Sequence, residues 1–325
     1  MTLGGLMKLR LPNKAILPNS KENIRVGIIG LDISYGVSFA KMLNSDDPLF
    51  SGLRVVAAYP KGSEKIPLSV SRIDGYTKEI QQYGVQIVKS IKQLLRKVDA
   101  VIIVSNDGTI RLSQALEVIR AKKPLFMGKP AAASLKDVIK IYKEAKKHKV
   151  PVFSSSSMRY FENAKHISTE KSGKVLGAET YSPAILEPTH PDFFWYGIHG
   201  IEMLYTVLGT GCKSVYRTHT QDTDLVTGVW SDGRIGVFRG IRSGKKGHGG
   251  NAFCEKDIVS LISSKEANKH LLIEITKFLK TKQPPISADE TIEIYAFMQA
   301  ADESKRLNGK PVTIEEVIIK AKIEI

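Results

Sequence analysis

The sequence predicts an α/β chain: a doubly wound parallel sheet, followed by an α+β half with an open, mainly antiparallel sheet. Three observations carry that expectation. Apolar strand-like runs alternate with helical periods from residue 24 to about 155. The opening run Ile24-Arg-Val-Gly-Ile-Ile-Gly30 passes into Leu31-Asp-Ile-Ser-Tyr-Gly36. That is a strand, a glycine turn and a helix start, the arrangement that gathers backbone N–H groups around a phosphate. Beyond Arg159, short strands follow one another closely, which suits hairpins rather than helical crossovers.

Taken in order, Val26–Ile29 is the first strand and Val37–Leu43 the first helix. Arg54–Ala58 and the short Val85–Val88 are strands, and Ser90 with Gln93 forms a capping box that opens a helix. Ala100–Val104 is apolar throughout, as a strand covered on both faces must be. Helix Arg111–Ala121, strand Pro124–Met127, helix Ser134–Lys149 and strand Val152–Ser154 complete this half. In the second half, Leu176–Pro183, Ser214–Thr220, Leu225–Trp230 and Arg234–Arg239 are strands, with Asp232-Gly233 as a hairpin turn. An apolar helix, Ile198–Leu208, interrupts them and ends at Gly209 or Gly211. Helices Glu266–Lys280 and Ala288–Leu307 close the chain around Pro284-Pro285, the second opened by a capping box of Ser287 and Glu290. The expected organisation is an extension over 1–23, a dinucleotide-binding domain over 24–155, and a substrate and oligomerisation domain over 156–325.

Composition narrows the function class. The 325 residues are 42% hydrophobic and 25% charged, as in soluble globular proteins. Two cysteines, Cys212 and Cys254, make no disulfide framework and no C-x-x-C site. No apolar run reaches the roughly 18 residues of a membrane span, and Lys8, Arg10 and Lys14 break any signal-like core in residues 1–22. A cytoplasmic protein without membrane partners is expected. The 48 basic against 33 acidic residues give a net charge of +15. Its densest element is the 134–149 helix, where Lys136, Lys140, Lys143 and Lys147 recur opposite Leu135, Val138, Ile139 and Tyr142. No aromatics interleave with these lysines, so they read as a solvated helix face and not as a nucleic-acid surface.

The opening turn departs from G-x-G-x-x-G. Gly30 fills the first position, but Asp32 and Tyr35 fill the second and third. A carboxylate about 4 Å from a pyrophosphate meets roughly 4 kcal/mol of repulsion at an effective dielectric near 20. The helix dipole returns only about 0.3–1 kcal/mol. Either Asp32 turns away and caps the helix, or the dinucleotide binds differently or weakly. Candidate cofactor contacts are Gly27, Gly30, Leu31, Asp32 and Ser34 on this turn, and Ser105, Asn106 and Gly128 at the carboxyl edge of the sheet. At the end of the second strand, Tyr59, Lys61 and Ser63 stand where an NAD site normally offers an acid. This gives a lean to NADP over NAD.

Arg159 pairs with a substrate anion or bridges the two domains. Phe193-Phe-Trp-Tyr196 places aromatics beside His199 as core or as a sugar-stacking face. His199 and Glu202 share a helix face, but with only His190 or Asp192 as a third ligand no metal site is assigned. Gly240–Gly250 is glycine-rich without Walker spacing and reads as a surface loop or a lid.

Together, the opening strand-turn, Gly128-Lys129-Pro130, Ser157-Met-Arg-Tyr160 and Gly197-Ile-His199 resemble the glucose–fructose oxidoreductase, inositol dehydrogenase and rhizopine-catabolism (Gfo/Idh/MocA) family. The resemblance implies a Rossmann domain followed by an open-sheet domain, and NAD(P)-dependent hydride transfer to or from a sugar, polyol or related compound. It implies Lys129 and His199 as catalytic residues, Arg159, Trp195, Tyr196 and Glu202 at the substrate, and a homodimer or homotetramer through the second sheet. The chain departs from the family's Glu-Lys-Pro at Gly128, and from its Asp-x-Gly-x-His-x-x-Asp at Trp195 and Glu202. With Asp32, these departures keep a second reading open, a catalytically degenerate dinucleotide or sugar binder of the same fold.

Overall fold

The computed structural model describes residues 23–325; the rest of the predicted extension lies outside the described residues. The first half comprises β1 (Ile24–Ile29), α1 (Tyr35–Leu43), β2 (Leu53–Tyr59), α2 (Pro67–Gln81), β3 (Gln86–Ile87), α3 (Ile91–Leu95), β4 (Ala100–Ile103), α4 (Arg111–Arg120), β5 (Leu125–Gly128), α5 (Leu135–His148) and β6 (Val152–Ser155). All six strands run parallel in the order β3-β2-β1-β4-β5-β6. The order reverses between β1 and β4, so a crevice opens at their carboxyl ends, where ligands of doubly wound sheets bind. Both β4 and β5 are buried along their whole length, as the apolar runs require.

The second half comprises β7 (Val175–Pro183), α6 (Ile198–Leu208), β8 (Cys212–His219), β9 (Thr223–Trp230), β10 (Ile235–Ile241), β11 (Gly249–Cys254), β12 (Ile258–Ile262), α7 (Ala267–Thr281), α8 (Ala288–Arg306), β13 (Val312–Thr313) and α9 (Ile314–Ile323). The sheet order is β12-β11-β7-β10-β9-β8-β13, and only β7 and β10 pair in parallel. Helix α6 covers its inner face so closely that a Cβ on Gly200 would meet the Phe238 ring at 2.5 Å. This explains a helix that is apolar nearly all round. Gly209 ends it at φ 68°, and Gly233 turns the β9–β10 hairpin at φ 86°.

Five elements escaped the sequence reading: α2, β11, β12, the two-residue β13 and α9. Helix α2 buries only Ser69 and Ile80 among its fifteen residues and has almost no apolar stripe. Strand β11 begins with Gly249-Gly250, and β12 is five residues of simple alternation. Helix α9 carries the complete capping box, Thr313 with Glu316. The predicted box of Ser287 and Glu290 forms by half. Ser287 accepts from the Glu290 N–H at 3.0 Å, but the Glu290 carboxylate is bound by Arg159.

Helix α7 packs not on the second sheet but beneath the first, burying Leu271, Leu272, Ile275 and Phe278. The Phe278 ring meets Phe153 edge-on with centroids 4.8 Å apart. Helix α8 returns as well: Tyr142 Oη donates to Thr291 Oγ1 at 3.2 Å, and Tyr295 Oη accepts the Ala131 N–H. These contacts hold the carboxyl edge of the parallel sheet against α6. Among the described residues, no helix is long and apolar enough to cross a membrane.

Candidate active site

The crevice starts at Gly30, whose φ of 91° suits glycine and whose absent Cβ would overlap the backbone of Ser105. Helix α1 begins at Tyr35, and its first N–H groups have no partner within the helix. Ile33 and Ser34, just ahead of it, are at least partly exposed. Asp32 is not the N-cap; Ser34 is, without a side-chain cap bond. The Asp32 carboxylate faces inward, wholly buried, and accepts the Asn106 N–H at 3.0 and 3.1 Å. Burial raises its pKa, while the Asn106 bond and the nearby Arg111 charge favour the ionised form. A Cβ on Gly62 would strike this carboxylate, so Asp32 ties together the loops after β1, β2 and β4.

A dinucleotide therefore fits on this chain's own terms. The carboxylate that would have repelled a pyrophosphate is turned away, leaving the helix dipole and the leading amides of α1 to face it. Beside them a cavity of about 560 Å³ lies between Tyr59 and Lys61 on one side and Thr109, Ser113 and Gln114 on the other, of a size to receive an adenosine.

The structure places the other candidate contacts of this end as follows. Gly27 makes room for the Leu94 side chain of α3. The Leu31 N–H donates to the Pro60 carbonyl at 3.0 Å. Ser63 is buried against Asp107. Ser105 Oγ donates to Gln114 Oε1 at 2.7 Å, so these hydroxyls are occupied by packing demands. Lys61 stays at the surface, 3.7 Å from Glu64.

The other end of the crevice is built by β5. Gly128 ends the strand, and its carbonyl accepts from Arg111 Nη1 at 2.7 Å. Arg111 is fully buried beneath the sheet edge and also binds the Ser105 carbonyl through Nε at 2.7 Å. Next along the chain, the half-buried Lys129 donates from Nζ to the Trp195 carbonyl at 3.2 Å and sits 4.6 Å above the Tyr196 ring. Burial, aided by repulsion from Arg111, lowers its pKa to about 8.

His199 enters from the first turn of α6. Its Nδ1 lies 2.5 Å from Ser156 Oγ. Burial, with the charges of Lys129 and His248 adding to it, holds the imidazole well below its usual pKa, hence neutral at pH 7. The family pattern's first carboxylate is Trp195 here, and a different chain of contacts takes over its orienting role. The Ser156 N–H donates to Glu202 Oε2 at 2.9 Å, and Arg159 Nε donates to the same oxygen at 2.9 Å. Arg159 also binds Glu290 and reaches Thr206 Oγ1 at 3.2 Å. Arg159 and Glu202, expected at the substrate, thus stand behind His199, and Arg159 bridges distant segments. Trp195 lends its carbonyl, while its buried ring packs on His190 at 4.9 Å; Tyr196 remains at the cleft.

The metal alternatives lie apart. His190 Nε2 accepts the Gly108 N–H at 2.8 Å, Asp192 binds Arg217 at 2.6 Å, and no group of three ligands occurs among the described residues.

Sequence reasoning missed Arg111, Ser156 and His248, whose ring centroid lies 5.5 Å from that of His199. It also missed Tyr35 as a side chain of the cleft, where its hydroxyl lies 2.9 Å from Ser157 Oγ. Only His248 had a visible signal, a histidine closing a glycine-rich loop.

Comparison with known proteins bears on the same residues. Residues 24–156 match the model of an oxidoreductase family with an NAD-binding Rossmann fold. A probable dehydrogenase from Thermotoga maritima superposes with a TM-score of 0.73 at 21% identity, over 91% of this chain and 100% of that one. Myo-inositol 2-dehydrogenase from Lactobacillus plantarum gives 0.74 at 18%, over 90% and 99%. Scyllo-inositol dehydrogenase from Lactobacillus casei, solved with NAD(H) and scyllo-inositol, gives 0.72 at 15%, over 90% and 100%. No curated protein matches the sequence. These likenesses extend the shared fold over both sheets. Residues 24–156, which hold the Gly30 turn and the Lys129 edge, are thus similar to the NAD-binding Rossmann domain of that oxidoreductase family.

Proposed function

We propose that the protein is an NAD(P)-dependent oxidoreductase acting on a sugar, a polyol or a related hydroxylated compound, with Lys129 and His199 handling the hydroxyl proton. The observation that carries this reading is a lysine of pKa about 8 beside a buried, neutral histidine at the carboxyl edge of the sheet. Lys129 holds or releases a proton near neutral pH, and the neutral imidazole of His199 is free to accept a hydrogen bond from the reacting hydroxyl, as general acid–base work needs. A nicotinamide dinucleotide, when bound, supplies the hydride donor or acceptor. Amides at the head of α1 would hold its phosphates. Lys129, fixed by the Trp195 carbonyl and the Tyr196 face, takes up the hydroxyl proton as the free amine in the oxidative direction, and in the reductive direction polarises the carbonyl oxygen and gives up a proton as the ammonium. His199, held at Nδ1 by Ser156, keeps Nε2 to hydrogen-bond the reacting hydroxyl while Lys129 takes or gives its proton. The inositol dehydrogenases among the structural neighbours make cyclic polyols the first substrates to test.

At the adenosine end β2 finishes in Tyr59, where an NAD site normally offers an acid, and Lys61 follows it, which favours NADP. Thermal-shift titration with NAD, NADH, NADP and NADPH tests both points. Ligand at about 100 times its dissociation constant stabilises by roughly 2.7 kcal/mol. The NADP pair is expected to shift the transition further than the NAD pair. Lys61→Ala is expected to weaken NADP binding by about two- to fivefold, the worth of one exposed charge contact, and to leave NAD unchanged. A protein stabilised by none of the four loses the oxidoreductase reading.

The second sheet supports a homodimer or homotetramer. Its outer face exposes Tyr181, Tyr216, Leu225, Ile235 and Phe253 among the polar Glu179, Arg239 and Asn251, a mixture of the kind found at interfaces. Light scattering is expected to report at least a dimer, and Leu225→Lys with Ile235→Lys a monomer. A monomeric parent protein refutes this assembly.

A further inference from the structure

The connection from β10 to β11, residues 242–248, reaches back over the cleft and lays the His248 ring nearly perpendicular to that of His199. Two glycines make the approach possible. A Cβ on Gly250 would run into the Glu179 carbonyl, and one on Gly249 would meet the Tyr181 hydroxyl at 2.5 Å. Strand β11 therefore lies flush on β7 and carries His248 inward. The His248 Nε2 is sealed from solvent and has no hydrogen-bond partner. Buried polar atoms without partners are rare in folded proteins and call for an explanation. Burial and the Lys129 charge lower the pKa of this imidazole, so one ring nitrogen donates and the other accepts. The stretch before it, Ser243-Gly244-Lys245-Lys246, is exposed, with Gly244 at φ 72°, so it can lift without breaking the sheet ladder.

We propose that residues 243–248, hinged on the anchored Arg242, form a lid over the Lys129–His199 cleft, and that His248 Nε2 hydrogen-bonds a second hydroxyl of a cyclic polyol, next to the one that reacts. Raising the lid parts the two imidazoles and admits the polyol ring between them. Closing it gives His248 the partner it lacks. His248 is then a specificity-determining residue, and the inference rests on reading Lys129 and His199 as the acid–base pair.

The test uses full-length protein with four probes: scyllo-inositol, myo-inositol, glucose and gluconate. Calorimetry and the ring-nitrogen NMR signals of labelled histidine are read alongside turnover. At least one inositol is expected to bind and to shift the His248 Nε2 resonance, identified by its loss in His248→Ala. His248→Ala is expected to weaken that binding and raise KM about 10- to 100-fold with a smaller loss in kcat, and His248→Gln to recover part of it. Binding of equal strength in parent and His248→Ala, or no binding of either inositol to the parent protein, overturns the proposal. The two readings fail separately. Turnover with an unchanged KM in His248→Ala leaves the oxidoreductase intact and removes the lid contact. Inositol binding that depends on His248 without turnover by the parent protein does the reverse.

Discussion

Lys129→Ala is expected to lower turnover by about 10²- to 10⁴-fold, the usual contribution of a positioned acid or base, while dinucleotide binding stays within about twofold. In the proposed mechanism the lysine meets the reacting oxygen and not the phosphate cradle at α1, so the loss belongs in kcat. Its pKa of about 8 fixes the sign of the pH dependence. In the oxidative direction the free amine takes up the proton, so the rate rises with pH and levels off above about 8. In the reductive direction the ammonium gives the proton, and the rate falls through the same range. Lys129→Arg keeps the charge but does not titrate there, so its profile loses that limb. Rate profiles in both directions check this; unchanged turnover in Lys129→Ala removes the lysine from the mechanism.

A second large effect is expected far from the chemistry. Arg217 is fully buried, bonded to Asp224 through Nε at 2.9 Å, to Asp192 at 2.6 Å and to Asp302 at 2.6 Å, with its guanidinium 4.2 Å from the Phe193 ring centroid. Asp224 also binds Arg242, and Asp192 also binds Lys305 at 2.8 Å. Arg217→Ala leaves three acids close together with two cations, Arg242 and Lys305, in place of three, which costs about 3–5 kcal/mol for a broken buried ion pair. Burial pushes Asp302 above the usual carboxylate range, and Arg217 is the main group opposing that. Without the arginine, the folded state binds protons more readily than the unfolded chain. Its stability deficit therefore shrinks as pH falls from 7 towards 5. Denaturant unfolding at the two pH values measures both effects; a deficit below about 1 kcal/mol at pH 7 would show the network to be dispensable.

How far the sequence could be read depended on where each element finds its partners. The parallel strands and their helices repeat a local period, so residues 100–104 or 134–149 disclose their elements without reference to the rest. Helix α2 and strands β11 and β12 do not, because they bury few apolar side chains and are held by neighbours distant in sequence. The site divides in the same way. Lys129 and His199 stood out by local motif, and the fold brings their side chains to one cleft. Ser156 gave no local sign of orienting His199, because the partners lie 43 residues apart.

The sequence by itself determined the order of elements, the glycine turn at Gly30 and the edge from which Lys129 projects. All three follow from short-range sterics and hydrophobic period. Tertiary structure alone decided which way the charges face. Asp32 turns from the phosphate site to an amide 74 residues away, Arg159 turns from substrate to Glu202, and His248 is laid against His199. A buried charge or polar group must find its partner wherever the folded chain supplies one, and that distance is not written in any local run of residues.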